Sequence, residues 1–386
     1  MIIPSSVSPA LKAGLQFLGM WPNRHSIVHW LGFMLSMLVS LYFQFLYIFD
    51  HLKLSELSNL VDCLIVTLDY SLTMLKMTSL WVHRRVFYKI LIDMDNDWRE
   101  CINADHHLCM MTIKANISHL VSNALLSLNA IVAILYLLGD YVIRSVFFTL
   151  SYNDTFRQFP IKIQFPFETQ ESPIFEILVV TLILHVIMHS CAIAILNGLI
   201  LTLVLHVSGK IDIICYEFKN VSKSVLLNES AVHLFGALIE RHNKIISFSK
   251  NIESLFSFVA LMQVVWNTLV ICCLGLIFII SIHNQTGIFI LVRTICAYFV
   301  VMIEAFVICF AGEYLSLKSK LIGNAIYETM WYDMPLGQNK IIIFIIMRSQ
   351  KQLTITAGKM MDMSFETFTS MMKASASYIS VLNAIY

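Results

Sequence analysis

The sequence predicts an all-α membrane protein with seven transmembrane helices, its N-terminus cytoplasmic and its C-terminus extracellular, with long cytoplasmic helical extensions. Three observations carry this. Seven long apolar windows divide the chain, and Lys and Arg crowd every second connection between them. The 386 residues are 58% hydrophobic and only 13% charged, against about 25% charged in a typical soluble domain.

Residues 1–27 read as a cytoplasmic segment. They lack the apolar core and small-residue site of a cleavable signal, so the first helix is expected to act as its own targeting signal. The first window, Val28 to Phe49, holds no Asp, Glu, Lys or Arg. The third runs from Ile117 to Gly139 and the fourth from Glu176 to Lys210. Each exceeds the roughly 20 residues that cross a hydrocarbon core of about 30 Å. The uncharged stretch from Ser254 to Val292 is too long for one span, and the polar run His283 to Gly287 divides it into a fifth and a sixth. The second window, Leu60 to Val82, carries Asp62, Asp69 and Lys76. The seventh, Met360 to Tyr386, carries Asp362, Glu366 and Lys373, so it is expected to be shielded from lipid by other helices.

The connection after window two holds Arg84, Arg85, Lys89, Arg99 and Lys114; that after window four holds Lys210, Lys219, Lys223, Arg241, Lys244 and Lys250. After window six come Lys318, Lys320, Lys340, Arg348, Lys351 and Lys359. The alternate connections offer only Lys53, then Arg157 and Lys162, then none. By the positive-inside rule the rich side is cytoplasmic, which places Tyr386 outside.

All seven prolines avoid the window interiors, so no span is expected to be proline-kinked. Pro173 suits the first turn of the fourth helix. From there to His206 the chain reads as one helix of about 50 Å, which must project into the cytoplasm. Ser222 to Lys250 keeps apolar residues at helical spacing, which predicts helical extensions packed together beneath the membrane. The run Ile341 to Met347 is too short to span and is expected in that inner layer.

Several functions are disfavoured. A formal net charge of +1 argues against nucleic acid as partner, because phosphate neutralisation needs clustered excess base. None of the nine cysteines lies in an outer loop on this topology, so free thiols are expected. His185 and His189 form an HxxxH pair without the third ligand of a zinc site, and Cys101, His106, His107 and Cys109 lack zinc-finger spacing. No phosphate-binding glycine loop or catalytic triad can be assembled; no enzyme activity, cofactor or metal is expected. Asp140 and Arg144, one helical turn apart, are expected to pair. Asp69 and Lys76 need partners on other helices, with Glu304 and Arg293 as candidates. Of the five Asn-x-Ser/Thr sequons, only Asn153 and Asn284 would face the exterior and accept a glycan.

The C-terminal third carries a set of short motifs: Cys309-Phe310-Ala311-Gly312-Glu313-Tyr314-Leu315, Ala325-Ile326-Tyr327, Trp331-Tyr332, Met347-Arg348-Ser349-Gln350-Lys351, Ala357-Gly358-Lys359, Phe365-Glu366-Thr367-Phe368 and Lys373-Ala374-Ser375-Ala376-Ser377-Tyr378. With His206-Val207-Ser208-Gly209-Lys210 and Arg241-His242 upstream, the chain resembles the insect odorant receptor family, strongly after residue 200 and by layout before it. Lys210 stands where that family more often has Gln, and Asn383 where Gln is frequent. The resemblance implies an odorant-tuning subunit of a ligand-gated, non-selective cation channel in the plasma membrane of olfactory sensory neuron dendrites. It also implies a heterotetramer with a shared co-receptor subunit, the seventh helices lining a central pore. The expected organisation is then residues 28–312 as helices one to six with the ligand pocket, 313–359 as a cytoplasmic anchor, and 360–386 as the pore helix.

Under this resemblance a small hydrophobic odorant binds in an outer-leaflet pocket among helices two, three, four and six. The orientation nominates Tyr70, Thr73, Ala133, Leu137, Tyr141, Leu178, Leu182, His185 and Phe289 as its lining. Burial at about 25 cal/mol per Å² would hold such a ligand; ordinary bundle packing accounts for the same residues. On the seventh helix Ala376, Ile379, Ser380 and Asn383 share a face that suits a water path narrowed at Ile379, or packing against neighbours. A gustatory receptor of the related insect family is the alternative, and a metabotropic seven-helix receptor a more distant one.

Overall fold

The computed structural model describes residues 4–22, 26–52, 57–147, 159–169, 171–225, 231–283, 288–329, 331–333 and 336–385. They are almost entirely helical: α1 (Pro9–Phe17), α2 (Ser26–Asp50), α3 (Leu57–Val82), α4 (Arg84–Cys101), α5 (Asp105–Phe147), α6 (Ile174–Val225), α7 (Ala231–His283), α8 (Ile288–Tyr327), α9 (Leu336–Ser349) and α10 (Phe365–Ile385). The seven windows fall in α2, α3, α5, α6, α7, α8 and α10. Five of these helices, α2, α5, α6, α7 and α8, are long and apolar enough to cross a membrane by length and composition. The windows that fall in the other two, α3 and α10, carry three charged residues each.

Solvent preference is inverted along α2. Val28, Leu31, Leu35, Leu38, Tyr42, Phe45 and Phe49 are all exposed, while Phe33, Met34, Met37, Leu41 and Gln44 are buried. An apolar stripe facing outward at intervals of three and four residues is a lipid-facing surface. In contrast, α6 is covered on every side: from Ala192 to Gly209 every residue is buried, as befits the central helix of a bundle. The sequence allows this because no charge interrupts it between Glu176 and Lys210.

The connections rich in bases fold as expected, into helix. After α3 comes the amphipathic α4, whose Phe87, Ile90, Met94, Trp98 and Cys101 are buried at helical spacing. The bases on the layer these helices form are tied to acids. Asp97 receives Lys210 at 2.8 Å, Asp212 receives Lys318 at 2.8 Å and Lys114 at 3.2 Å, and Glu217 pairs with Arg241. Burial pushes the Asp97 carboxyl up, but hydrogen bonds and charge from His206 and Lys210 outweigh it and hold the group below the usual carboxylate range. Burial, assisted by the Arg348 charge, pushes His242 of α7 down to about 4. A histidine depressed on folding binds fewer protons than its unfolded form, so the stability of this layer should fall as pH drops from about 6.5 towards 4. Thermal melting of the purified chain across that interval should show the slope, and His242→Gln should reduce it.

Two features depart from the sequence reading. Residues 9–17, read only as part of a cytoplasmic segment, form α1. Ser8 caps it by accepting from the Leu11 amide at 3.1 Å, with Pro9 at the first position. Leu11 and Leu15 are fully buried, and Gly14 lies directly on Ile195 of α6. A nine-residue helix is marginal alone, so tertiary packing makes it. Second, the last helix begins at Phe365 rather than Met360: Thr356–Ala357 and Met361–Asp362 pair as a small antiparallel hairpin. Gly358 and Lys359 both take positive φ at its turn, and the Gly358 amide donates to the Ser257 carbonyl at 2.9 Å, fastening the hairpin to α7. Pro173 stands at the start of α6, as its sequence context suggested, and its carbonyl accepts from the Ile177 amide at 3.2 Å. The Asp140–Arg144 pair lies in α5, outside the residues whose side chains are described.

Candidate ligand site between the third and sixth helices

A polar cluster in an apolar interior is built where α3 faces α6. Successive turns of α3 present Asp69, Tyr70, Thr73 and Lys76; those of α6 present His185 and His189. Tyr70, Thr73, His185 and His189 are all buried. The Tyr70 ring stacks on His189 with centroids 3.9 Å apart and leans on His185 at 5.5 Å. His189 Nε2 lies 3.1 Å from the Thr73 hydroxyl, which itself donates to the Asp69 carbonyl at 3.1 Å. That hydroxyl is therefore an acceptor toward His189, which assigns the proton to Nε2. Nδ1 of His189 faces the Asp69 carboxylate at 3.8 Å.

One turn below Thr73, Lys76 pairs with Glu304 of α8, and both are buried. Gln263 of α7 donates to the Glu304 backbone carbonyl at 3.0 Å. The cluster thus touches α3, α6, α7 and α8. Of the two candidate partners named from sequence, Glu304 takes Lys76, while Arg293 reaches Asp62 at 3.5 Å and lies over the Tyr136 ring at 4.6 Å.

Among the other residues expected to line a pocket, Ala133, Leu137 and Leu182 are buried and Leu178 is half-buried. Leu182 packs with Ile161 and Ile163, with Phe159, Phe165, Phe43 and Val66 around them. The segment 159–169 therefore covers α3 and α6 near their common end, with the Cys63 thiol 3.4 Å from the Lys162 carbonyl. The side chains of Tyr141 and Phe289, and the sequons at Asn153 and Asn284, lie outside the described residues.

The described cavities lie elsewhere, in the layer formed by the base-rich connections. One of about 460 Å³ is lined by Lys89, Asp93, Asp97, Arg99, Lys210 and Lys244 among others. Another of about 470 Å³ involves Lys114, Asp212, Lys219 and Glu328. Charged walls of this kind do not suit an apolar ligand. On α10, Ala376 and Ser380 are exposed, whereas Ile379 is half-buried because its side chain rests on Gly275 of α7. The Asn383 side chain lies outside the described ones.

Comparison with known proteins places this architecture. The family model for the 7tm odorant receptor matches residues 56–376. The chain belongs to the 7tm odorant receptor family. Among its relatives, odorant receptor 13a of Drosophila melanogaster is 24% identical over 281 residues, covering 67% of this chain and 65% of that protein. Odorant receptor 22c of the same fly is 27% identical over 156 residues, 40% of this chain and 38% of the relative. Odorant receptor Or2 of Anopheles gambiae is 28% identical over 160 residues, 41% of each. The aligned parts thus span from about two fifths to just under two thirds of these relatives' lengths. The fold is that of the insect olfactory receptor OR5 from Machilis hrabei, solved in complex with eugenol: the TM-score is 0.81 over 97% of both chains, at 14% identity. A second structure of that receptor gives a TM-score of 0.76 over 96% of both chains at 13% identity. The odorant receptor family and its helical bundle agree with what the C-terminal motifs implied.

Proposed function

We propose that this chain is the odorant-tuning subunit of a ligand-gated, non-selective cation channel in the plasma membrane of olfactory sensory neuron dendrites. The buried polar cluster of α3 and α6, set among apolar helices in a member of an odorant receptor family, carries the reading. A small volatile or lipid-like molecule binds there, under the cover of residues 159–169, with Tyr70, Thr73, Ala133, Leu137, Tyr141, Leu178, Leu182, His185 and Phe289 as its surroundings. Eugenol, the ligand of the structural neighbour, is of the size class expected.

The pore belongs to α10. Its Ala376, Ser377 and Ser380 are left uncovered by the chain's own bundle, and both serine hydroxyls turn back to the carbonyl four residues earlier, at 3.0 and 2.9 Å. A small, weakly polar face suits a water path once four such helices meet around an axis, with Asn383 further along the same face. Ile379, seated on Gly275, joins that face to α7, so movement of α7 is transmitted to the pore. The 313–359 region serves as the cytoplasmic anchor of a heterotetramer with the co-receptor, and residues 1–27 stay cytoplasmic while α10 ends outside.

Whole-cell current under a broad volatile panel, with and without the insect odorant co-receptor and with G-protein cycling blocked, tests this. A fast cation current that needs this chain and survives the block is expected; responses abolished by the block would refute the channel reading. In the same cells Asn153→Gln should remove a glycosidase-sensitive shift, whereas a glycan on Asn220 or Asn228 would reverse the orientation.

A further inference from the structure

Two polar atoms deep between α3 and α6 have no hydrogen-bond partner among the described residues: the Tyr70 hydroxyl and Nε2 of His185. Tyr70 is 2% exposed and His185 9%, so bulk water does not serve them. Their neighbours are satisfied, since His189 has Thr73 and Thr73 has the Asp69 carbonyl. The Tyr70 ring is also held in place by its stack on His189, which limits where its hydroxyl can turn. Buried polar groups are almost always paired, and a buried group left unpaired is penalised until a partner arrives.

We infer that Tyr70 and His185 make this receptor selective for ligands bearing an oxygen function, alcohols and phenols first, over hydrocarbons of the same skeleton. The inference rests on the α3–α6 cluster being the ligand site. The order follows from hydrogen-bond inventories. A hydroxyl both donates and accepts, so it can accept from the Tyr70 O–H while donating to an unprotonated His185 Nε2. An aldehyde or ketone only accepts, and satisfies Tyr70 alone. A hydrocarbon satisfies neither, and leaves both atoms buried without a partner. A site built to hydrogen-bond a hydroxyl rejects the analogue that lacks it far more strongly than an apolar pocket distinguishes a methylene.

The test measures dose–response currents in cells expressing this chain with the co-receptor, using two matched sets: octanol, octanal and octane, then ethylphenol, acetophenone and ethylbenzene. In each set that activates, the hydroxyl compound should be at least roughly tenfold more potent than its hydrocarbon, a difference of about 1.4 kcal/mol. Tyr70→Phe should weaken both oxygenated classes several-fold relative to the hydrocarbon. His185→Phe should weaken the hydroxyl compound several-fold more than the carbonyl one. Equal potency of hydrocarbon and hydroxyl compound on the unaltered receptor would overturn the inference while leaving the channel reading intact, and needs no variant to fold. Surface protein with no current from any of the six would count against the channel reading itself, and this inference would fall with it.

Discussion

Removing one member of the Lys76–Glu304 pair should cost the receptor a large part of its stability. Both side chains are buried, and they join α3 to α8 across 228 residues of sequence. Lys76→Ala leaves a carboxylate in the interior of the bundle, and Glu304→Ala leaves an ammonium. Breaking a buried pair in this way costs about 3–5 kcal/mol, against a total stability of only about 5–15 kcal/mol for a typical folded protein. We expect each single variant to lose most of its surface protein and to melt well below the unaltered chain in detergent. The double variant Lys76→Met with Glu304→Leu removes both charges at similar volume and should regain much of the lost stability, because the attraction within a buried pair offsets little more than its own desolvation. Normal melting of Glu304→Ala would show that the two helices are held by packing alone. If the double variant folds but no longer responds to odorant, the pair serves coupling between the proposed ligand site and the proposed pore as well as stability.

Gly312→Val should be comparably severe, for a backbone reason. Gly312 of α8 lies against residue 363, where the chain leaves the hairpin for α10, and a Cβ at this position would stand 2.9 Å from the Met363 Cβ and collide with the Met363 carbonyl. Neither partner can retreat easily: the Met363 amide donates to the Ile355 carbonyl at 2.8 Å, and the neighbouring Glu313 accepts from the Phe365 amide at 3.3 Å. Overpacking typically costs about 1–3 kcal/mol, and a backbone obstacle puts Gly312→Val at or above the top of that range. We expect the variant to lose odorant-evoked current altogether and Gly312→Ala to lose most of it, since this contact sets the base of α10. Gly236→Ala is the control. Nothing lies within 4 Å of that added Cβ, and replacing an exposed helical glycine should stabilise by roughly 0.5–1 kcal/mol. Equal currents from Gly312→Val and Gly236→Ala would mean that the hairpin shifts to make room.

The ligand site was only half legible beforehand. Tyr141 and His185 stood out in the sequence as hydrogen-bonding groups in apolar surroundings; the Tyr141 side chain lies outside the described ones, and it is Tyr70, nominated only as one lining residue among nine, that faces His185. His189 appeared only as a candidate for metal chelation, yet it stacks on Tyr70 and is satisfied by Thr73; among the described residues no three potential ligands gather to hold a metal. A polar residue in an apolar window advertises that it needs a partner, but not which one. Arg293 and Glu304 were equal candidates by composition, and one helix rotation sends the first to Asp62 and the second to Lys76. The face of α10 shows the same limit: Ala376, Ile379 and Ser380 are neighbours by periodicity, yet the missing Cβ of Gly275 draws Ile379 alone onto α7.

The sequence by itself determined the class of this protein, the order of its long helices and the family to which it belongs. Those properties depend on local quantities: runs without charge, bases in alternate connections, and short motifs read along one strand of text. Only the tertiary structure decided that residues 9–17 are helical, because Leu11 and Leu15 are buried by α6 and α5 rather than by anything nearby in the chain. It also decided the hairpin ahead of α10, the choice of Glu304 by Lys76, and the pairing of Tyr70 with two histidines of α6. Each depends on the rotation and axial offset of helices far apart in sequence. A periodicity of 3.6 residues states which side chains share a face, but only the packed bundle states what that face meets.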